Sequence, residues 1–208
     1  MESASLGRVG DIAQHHDEHH GPPEANRSSR VDAQMLGMLL FIISEVMLFG
    51  AFFTAYFFFR VVANDEWPAA GTELPVLIAG VNTAILLSSS LTMHWALVAA
   101  KNENRFGMRA GLLTTFLLGL TFLMIQINEY VHIGFSPQDH AQGTVFYGLT
   151  GLHGAHVFIG LTLLLFVTIR AFRGHFTAED HSGIEVPGIY WHFVDVMWVI
   201  VYLTIYII

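Results

Sequence analysis

Five residues that can bind metals or exchange protons lie within long apolar stretches of this chain: Glu45, His153, His156, His192 and Asp195. On a helix, His153 and His156 share one face, as do His192 and Asp195, because each pair is three residues apart. Three kinds of site fit these side chains: a haem or copper site, a proton relay, and a hydrogen-bonded network that holds the register of helices. The histidine spacing is too loose to define a metal site, so it favours the network first and the relay second.

Four further residues are candidates for contact with lipid or for an interface: Glu129, His94, Trp191 and Trp198. Charged and polar side chains are costly at the centre of a bilayer and cheaper near its edges. We therefore expect Glu129 at the outer rim of the membrane and His94 nearer the inner side.

Five apolar stretches must position these residues. They cover residues 35–60, 74–100, 110–132, 143–170 and 186–208, and polar connections separate them. At about 1.5 Å of rise per residue, each is long enough to cross a hydrocarbon layer of about 30 Å. Because a helix satisfies its own backbone hydrogen bonds in lipid, the sequence predicts an all-α, five-helix integral membrane bundle over residues 34–208.

The composition agrees with a membrane protein and excludes other classes. The 208 residues are 53% hydrophobic and only 12% charged, which is too few charges for the surface of an ordinary soluble domain. The net charge of -8 argues against nucleic-acid binding, and the absence of cysteine excludes thiolate metal sites.

Residues 1–33 are polar and rich in Gly, Pro and Ser, which predicts a flexible aqueous arm. The arm carries four histidines that are able to chelate a divalent metal: His15, His16, His19 and His20. We favour a solvated tail over a metal site for this segment.

Lysine and arginine set the expected orientation. Most of them flank the first span, the second connection and the end of the fourth span: Arg8, Arg27, Arg30, Lys101, Arg105, Arg109, Arg170 and Arg173. Only Arg60 lies on the opposite side. By the positive-inside bias, the N-terminus is predicted to be cytoplasmic and the C-terminus external.

Helical rise then places Glu45, His153 and Asp195 about 14–15 Å deep in the membrane. We therefore expect one midplane network that joins these three residues to His156 and His192.

Three motifs carry a family resemblance: ISEVMLFGAFF at Ile43–Phe53, TGLHGAHVFIG at Thr150–Gly160 and YWHFVDVMW at Tyr190–Trp198. In this order and on these spans, they closely resemble subunit III of cytochrome c oxidase, in the haem–copper oxidase superfamily. The resemblance covers Gln34–Ile208. It implies the short, five-helix bacterial form, which lacks the first two of the seven helices of mitochondrial members.

The resemblance also implies a function. Subunit III of this family holds no redox centre, so this chain is expected to bind no cofactor of its own, with haem and copper in partner subunits I and II. It is expected to pack mainly on subunit I, to bind phospholipid, to support proton uptake and to protect the oxidase during turnover. A small subunit IV and a larger respiratory supercomplex are further candidate partners. The expected location is the bacterial inner membrane.

Other functions stay open at this point. The quinol-oxidising branch shares the fold, but its first motif tends to read Ser-Asp, so Ser44-Glu45-Val46 favours cytochrome c oxidase. A related subunit of nitric oxide reductase systems is a more distant alternative. From a different class, a stand-alone proton channel or transporter would also use a buried Glu45 and paired histidines.

Overall fold

The computed structural model describes residues 33–62, 67–69, 72, 74–176 and 182–208. Within these residues the chain is helical and has no β-strand. The helices are α1 (Ala33–Val62), α2 (Val76–Lys101), α3 (Arg105–His132), α4 (Ala141–Phe172) and α5 (Ser182–Tyr202), and a π-helical turn follows at Leu203–Ile207. The four histidines of the N-terminal arm lie outside the described residues.

Five of the described helices are long and apolar enough to cross a membrane, the last of them running on into the π-helical turn. The predicted all-α class and the five spans are thereby confirmed. The orientation of the termini stays a prediction, because the fold is the same whichever side of the membrane it faces.

Two helices, α3 and α4, begin before the apolar stretches predicted from the sequence, and a side chain caps the first turn of each. α3 begins at Arg105, five residues before the predicted span, because the Asn104 side chain accepts a hydrogen bond from the Gly107 amide at 2.9 Å. α4 begins after His140, whose Nδ1 accepts from the Gly143 amide at 2.8 Å. A polar first turn therefore extends a helix beyond the segment that hydropathy alone would identify.

Residues Ala33–Ile208 form one compact unit in which α2, α3, α4 and α5 pack in a closed ring. α1 packs on the outside of this ring, against α4 and α5. It buries only Phe49 and Tyr56 among its described side chains, and most of its other large apolar residues are exposed. α1 is therefore the helix with the most surface left for lipid or another chain.

α5 is the most enclosed helix, and glycines on its neighbours make room for it. Trp191 has no exposed surface. A Cβ atom at Gly119 of α3 would lie 2.5 Å from Cη2 of Trp191, and one at Gly160 of α4 would lie 2.8 Å from its Cε3. Only glycine fits at these two positions, since the indole lies directly against both backbones.

An arginine joins α3 to the end of α4. Arg109 donates from Nε to the carbonyl oxygen of Ala171 at 3.1 Å and from Nη2 to that of Phe172 at 3.4 Å. Carbonyls at a helix C-terminus have no partner within the helix and carry partial negative charge, so the guanidinium satisfies them and neutralises the helix end.

Candidate functional site

The first buried polar pair joins α1 to α4. His156 Nε2 lies 2.8 Å from Glu45 Oε2, with the Glu45 side chain 16% exposed and that of His156 7% exposed. The ring of Phe49, one turn beyond Glu45, packs 5.0 Å from the imidazole. The residues of the first and second motifs therefore meet at the interface between these two helices.

The hydrogen bonds of His156 determine how many protons this pair holds. Its Nδ1 lies 2.8 Å from the carbonyl oxygen of Leu152, and a carbonyl can only accept, so Nδ1 carries a proton. Nε2 and Glu45 Oε2 then need one further proton between them, on either the carboxyl group or the imidazole. The pair is neutral overall in both arrangements and can exchange that proton internally.

His153 has a different environment, although it shares a helix face with His156. It is completely buried between Trp198, at 4.8 Å between ring centroids, and Phe122, at 5.8 Å. Neither of its nitrogens has a hydrogen-bond partner among the described residues. His153 thus lies in an aromatic pocket and does not hydrogen-bond to Glu45, which differs from the single network expected from the sequence.

The span-five pair, His192 and Asp195, is not a direct hydrogen-bonded pair. His192 Nδ1 lies 2.7 Å from the Ser90 hydroxyl on α2, and His94 is close enough to interact electrostatically with His192. Both oxygens of Asp195 are buried without a well-formed hydrogen bond among the described residues, although Ser90 lies nearby. Ser90 is therefore the group that His192 and Asp195 have in common.

Trp191 and Trp198, candidates for contact with lipid or for an interface, lie at an interface between helices of this chain. Both are fully buried within the bundle. Trp191 Nε1 donates to Ser89 Oγ and Trp198 Nε1 donates to Thr83 Oγ1, each at 2.9 Å. A buried N–H group needs a hydrogen-bond partner inside the protein, so these two bonds join α5 to α2.

Glu129 lies in the last turn of α3, which ends at His132, and is enclosed there by neighbouring residues. It is only 5% exposed, and its Oε1 accepts a hydrogen bond from the Tyr206 hydroxyl at 2.6 Å. Its Oε2 has no partner among the described residues. His94, in contrast, lies on the exposed side of α2 and stays a candidate for contact with lipid or another chain.

The expected midplane network is therefore divided into separate contacts, each joining two different helices. The sequence did not identify four of the residues that complete them: Thr83, Ser89, Ser90 and Tyr206. The run of three serines at Ser88–Ser90, within an otherwise apolar span, was the available signal for the interface between α2 and α5. No group of three or more His, Asp or Glu residues arranged to hold a metal ion occurs in the described part of the chain.

This fold and these interhelical contacts define a multi-pass α-helical membrane protein. The family model described as Cytochrome c oxidase subunit III matches residues 24–208. The chain belongs to the cytochrome c oxidase subunit III family.

Three relatives illustrate the similarity, each described as Cytochrome c oxidase subunit 3. That of Thermostichus vulcanus is 42% identical over 177 residues, which are 85% of this chain and 88% of the relative. That of Synechocystis is 39% identical over 191 residues, covering 91% and 78%. That of Rattus norvegicus is 42% identical over 176 residues, covering 82% and 67%. The chain is thus similar over most of its length to oxidase subunits from bacteria and from animals.

Proposed function

We propose that this chain is an accessory subunit of a proton-pumping cytochrome c oxidase in a bacterial inner membrane. It packs on subunit I, binds phospholipid, and supports proton uptake and the lifetime of the enzyme during turnover. The haem and copper centres that reduce oxygen belong to subunits I and II. The names of the relatives support cytochrome c, rather than quinol, as the electron donor.

One observation carries this proposal beyond family membership. The polar side chains of the bundle bond across helix interfaces: Glu45 to His156, Ser90 to His192, Ser89 to Trp191 and Tyr206 to Glu129. Such contacts hold a bundle in one arrangement. α1, at the edge of this bundle, leaves a long apolar face on which another membrane subunit or lipid can pack.

The proposal is tested by purifying the oxidase with and without this chain. We expect the haem spectrum per complex to be the same in both, since this subunit contributes no haem ligand. The enzyme without the chain should lose activity sooner during continuous turnover and take up protons more slowly.

Two results would contradict the proposal. One is a stoichiometric haem signal in the chain purified alone. The other is failure to copurify with large haem-bearing subunits, which would favour a stand-alone channel or transporter. Equal lifetimes with and without the chain would refute the protective role alone.

A further inference from the structure

Two histidines lie close together on the outward surface between α2 and α5. His94 is exposed on α2, and His192 is half-buried on α5, near enough for the two rings to interact electrostatically. Nδ1 of His192 lies 2.7 Å from the Ser90 hydroxyl. Within the described part of the chain, neither the His94 ring nor Nε2 of His192 has a hydrogen-bond partner. The two rings therefore present polar nitrogens to whatever covers this surface.

The depth of both histidines follows from an ion pair at the end of the two helices. Lys101 and Glu185 lie 3.4 Å apart and join α2 to α5 there. Each histidine is seven residues from one member of that pair, or about 10 Å at helical rise. With 26 residues, α2 is about 39 Å long, so it extends roughly 4–5 Å beyond each side of a hydrocarbon core of about 30 Å. The histidines are then about 6 Å inside that core.

Lipid is a poor neighbour for an imidazole at this depth. Acyl chains form no hydrogen bonds, so a polar ring among them loses those it makes in water. The headgroups at the near surface are also out of reach of His94. On a helix the Cα–Cβ bond tilts toward the N-terminus, and the N-terminus of α2 is at the end opposite Lys101. The cover that suits these rings is therefore another protein.

The surface around the two histidines suits the packing of a helix. The neighbours of His94 on its face of α2 are three, four or seven residues away, and those of His192 on α5 are four and eight residues away. These five apolar side chains are all exposed: Leu87, Leu91, Val98, Val196 and Ile200. Membrane helices associate through such apolar surfaces, with a few polar side chains that bond across the interface. We call the two histidines and these five residues the histidine patch.

A carboxyl group is the partner that fits the free nitrogens. A neutral imidazole has one donor and one acceptor nitrogen, and a carboxyl group can serve either of them. The chain already uses this combination between two helices, since His156 Nε2 lies 2.8 Å from Glu45 Oε2. A lysine or arginine fits less well, because it offers donors only and places a positive charge beside two rings that can themselves become positive.

A second copy of this chain, packed through the same face, lacks the required group. α2 contains no Asp or Glu between Val76 and Lys101. On α5, Asp195 is buried beneath the surface, with 2% of it exposed, and Glu185 lies at the helix end beside Lys101. Two such faces would bring imidazoles and hydroxyls together without a carboxyl group. The partner is therefore a different chain.

We propose that the histidine patch docks a transmembrane helix of a neighbouring oxidase subunit, and that this helix carries an aspartate or glutamate opposite His94 and His192. The inference rests on the proposed function, since it requires a partner subunit in the membrane. It adds a docking face between α2 and α5 to the apolar face of α1, and it states the side chain that the partner supplies.

A photo-crosslinking residue tests which molecule covers the patch. Leu91, which is 74% exposed, is replaced by p-benzoylphenylalanine in the complete oxidase in its native membrane. After irradiation, mass spectrometry identifies the adduct. We expect a crosslink to a membrane-spanning segment of another subunit, with an Asp or Glu within one helical turn of the labelled residue. An adduct with lipid alone, with a second copy of this chain, or with a segment that lacks a carboxyl group would overturn the proposal.

Substitution of His94 gives effects of opposite sign in the two surroundings. If the patch is docked, His94→Leu should lower retention of this chain in the complex during detergent washing about tenfold, as expected for the loss of one hydrogen bond between membrane helices. If the patch faces lipid, leucine is the better residue, so unchanged or higher retention would refute docking. His94→Gln keeps a donor and an acceptor and should be retained like the unaltered chain. Equal losses in the two variants would refute the hydrogen-bonded contact.

Thr121→Leu is the matched control, because it also replaces an exposed polar side chain within a span by leucine. The Thr121 hydroxyl bonds to the Leu117 carbonyl of its own helix, α3, at 2.8 Å, so we expect unchanged retention. Copurification of the unaltered chain with haem-bearing subunits tests the proposed function separately. If that copurification holds while the crosslink and the His94→Leu result fail, only the docking face is refuted.

Discussion

At the scale of single residues, the main feature of the Glu45–His156 contact is the single proton that the two side chains share. Because His156 Nδ1 is bound to a backbone carbonyl, Nε2 and the carboxyl group share one proton. A glutamine at position 45 can supply the same hydrogen bond from its amide N–H group, but it cannot exchange a proton. The substitution thus separates the structural property of the pair from its acid–base property.

We expect Glu45→Gln to keep the chain in the complex and to leave the rate of proton uptake unchanged, since both nitrogens of His156 keep their partners. Glu45→Ala should weaken the packing of α1 on α4 by about 0.6–2 kcal/mol, a range typical of hydrogen bonds between membrane helices. Subunit retention during detergent washing measures the packing, and stopped-flow pH changes measure the uptake. Slower uptake in the glutamine variant would instead place the pair on a proton pathway.

A second prediction concerns the contact between α2 and α5. Ser90→Ala removes the partner of His192 Nδ1, so we expect a loss of about 0.6–1.7 kcal/mol. Asp195→Asn should cost less, because no well-formed hydrogen bond from the described residues reaches that carboxyl group. Thermal melting of the purified complex compares the two variants.

Ser88→Ala serves as the control for this comparison. Among the described residues, the Ser88 hydroxyl bonds only to the Ala84 carbonyl of its own helix, and it lies on the exposed side of α2, so its removal should leave the melting temperature nearly unchanged. A larger loss with Asp195→Asn than with Ser90→Ala would restore the direct His192–Asp195 pair expected from the sequence.

At the scale of the helices, α5 is held by close approach as well as by hydrogen bonds. The glycines at positions 148, 151 and 154 are not the residues that permit it, since a Cβ there would meet at nearest the Phe52 ring at 3.4 Å, the Tyr130 hydroxyl at 4.0 Å, and nothing within 4 Å. The close approach occurs at Gly119 and Gly160, where Trp191 inserts. The large indole of Trp191 decides which glycines are needed, because it lies against the backbones of α3 and α4 at these two positions.

We predict that Gly160→Ala destabilises the bundle by about 1–3 kcal/mol, because its methyl group would overlap the fully buried indole. Gly154→Ala, on the same helix, should be neutral or slightly stabilising, since its methyl group meets open space. Thermal unfolding in detergent, followed by Trp fluorescence, measures both. Equal melting temperatures for the two variants would contradict the close packing of Trp191.

At the scale of the whole molecule, the orientation across the membrane depends on charges at the helix ends. Lys101, Arg105 and Arg109 lie at the α2–α3 end of the bundle, and the α3–α4 connection lies at the other end. The positive-inside bias places the first of these ends in the cytoplasm.

Because the sequence contains no cysteine, the orientation can be measured with single engineered thiols. Gln138→Cys, in the exposed α3–α4 connection, should react with a membrane-impermeant maleimide in intact cells. Glu103→Cys, in the exposed α2–α3 connection, should react only after the membrane is permeabilised. The reverse pattern would invert the predicted topology.

The sequence by itself determined the five spans, the all-α class and the family. Span length and apolar composition are local properties, and a helix is the structure that satisfies an isolated backbone in lipid. The same local information identified Glu45, His153, His156, His192 and Asp195 as unusual residues, because their polarity conflicts with that of their neighbours.

Only the tertiary structure decided which of these residues meet. A shift of one residue along a helix turns a side chain by about 100°, so the depth of Glu45 and His153 could agree while their directions did not. Packing turned His156 toward Glu45 and His153 toward Trp198, and it brought Ser90 to His192. It also enclosed Trp191 and Glu129. Their hydrogen-bond partners, Ser89 and Tyr206, are distant from them in the sequence and come close only when the helices pack.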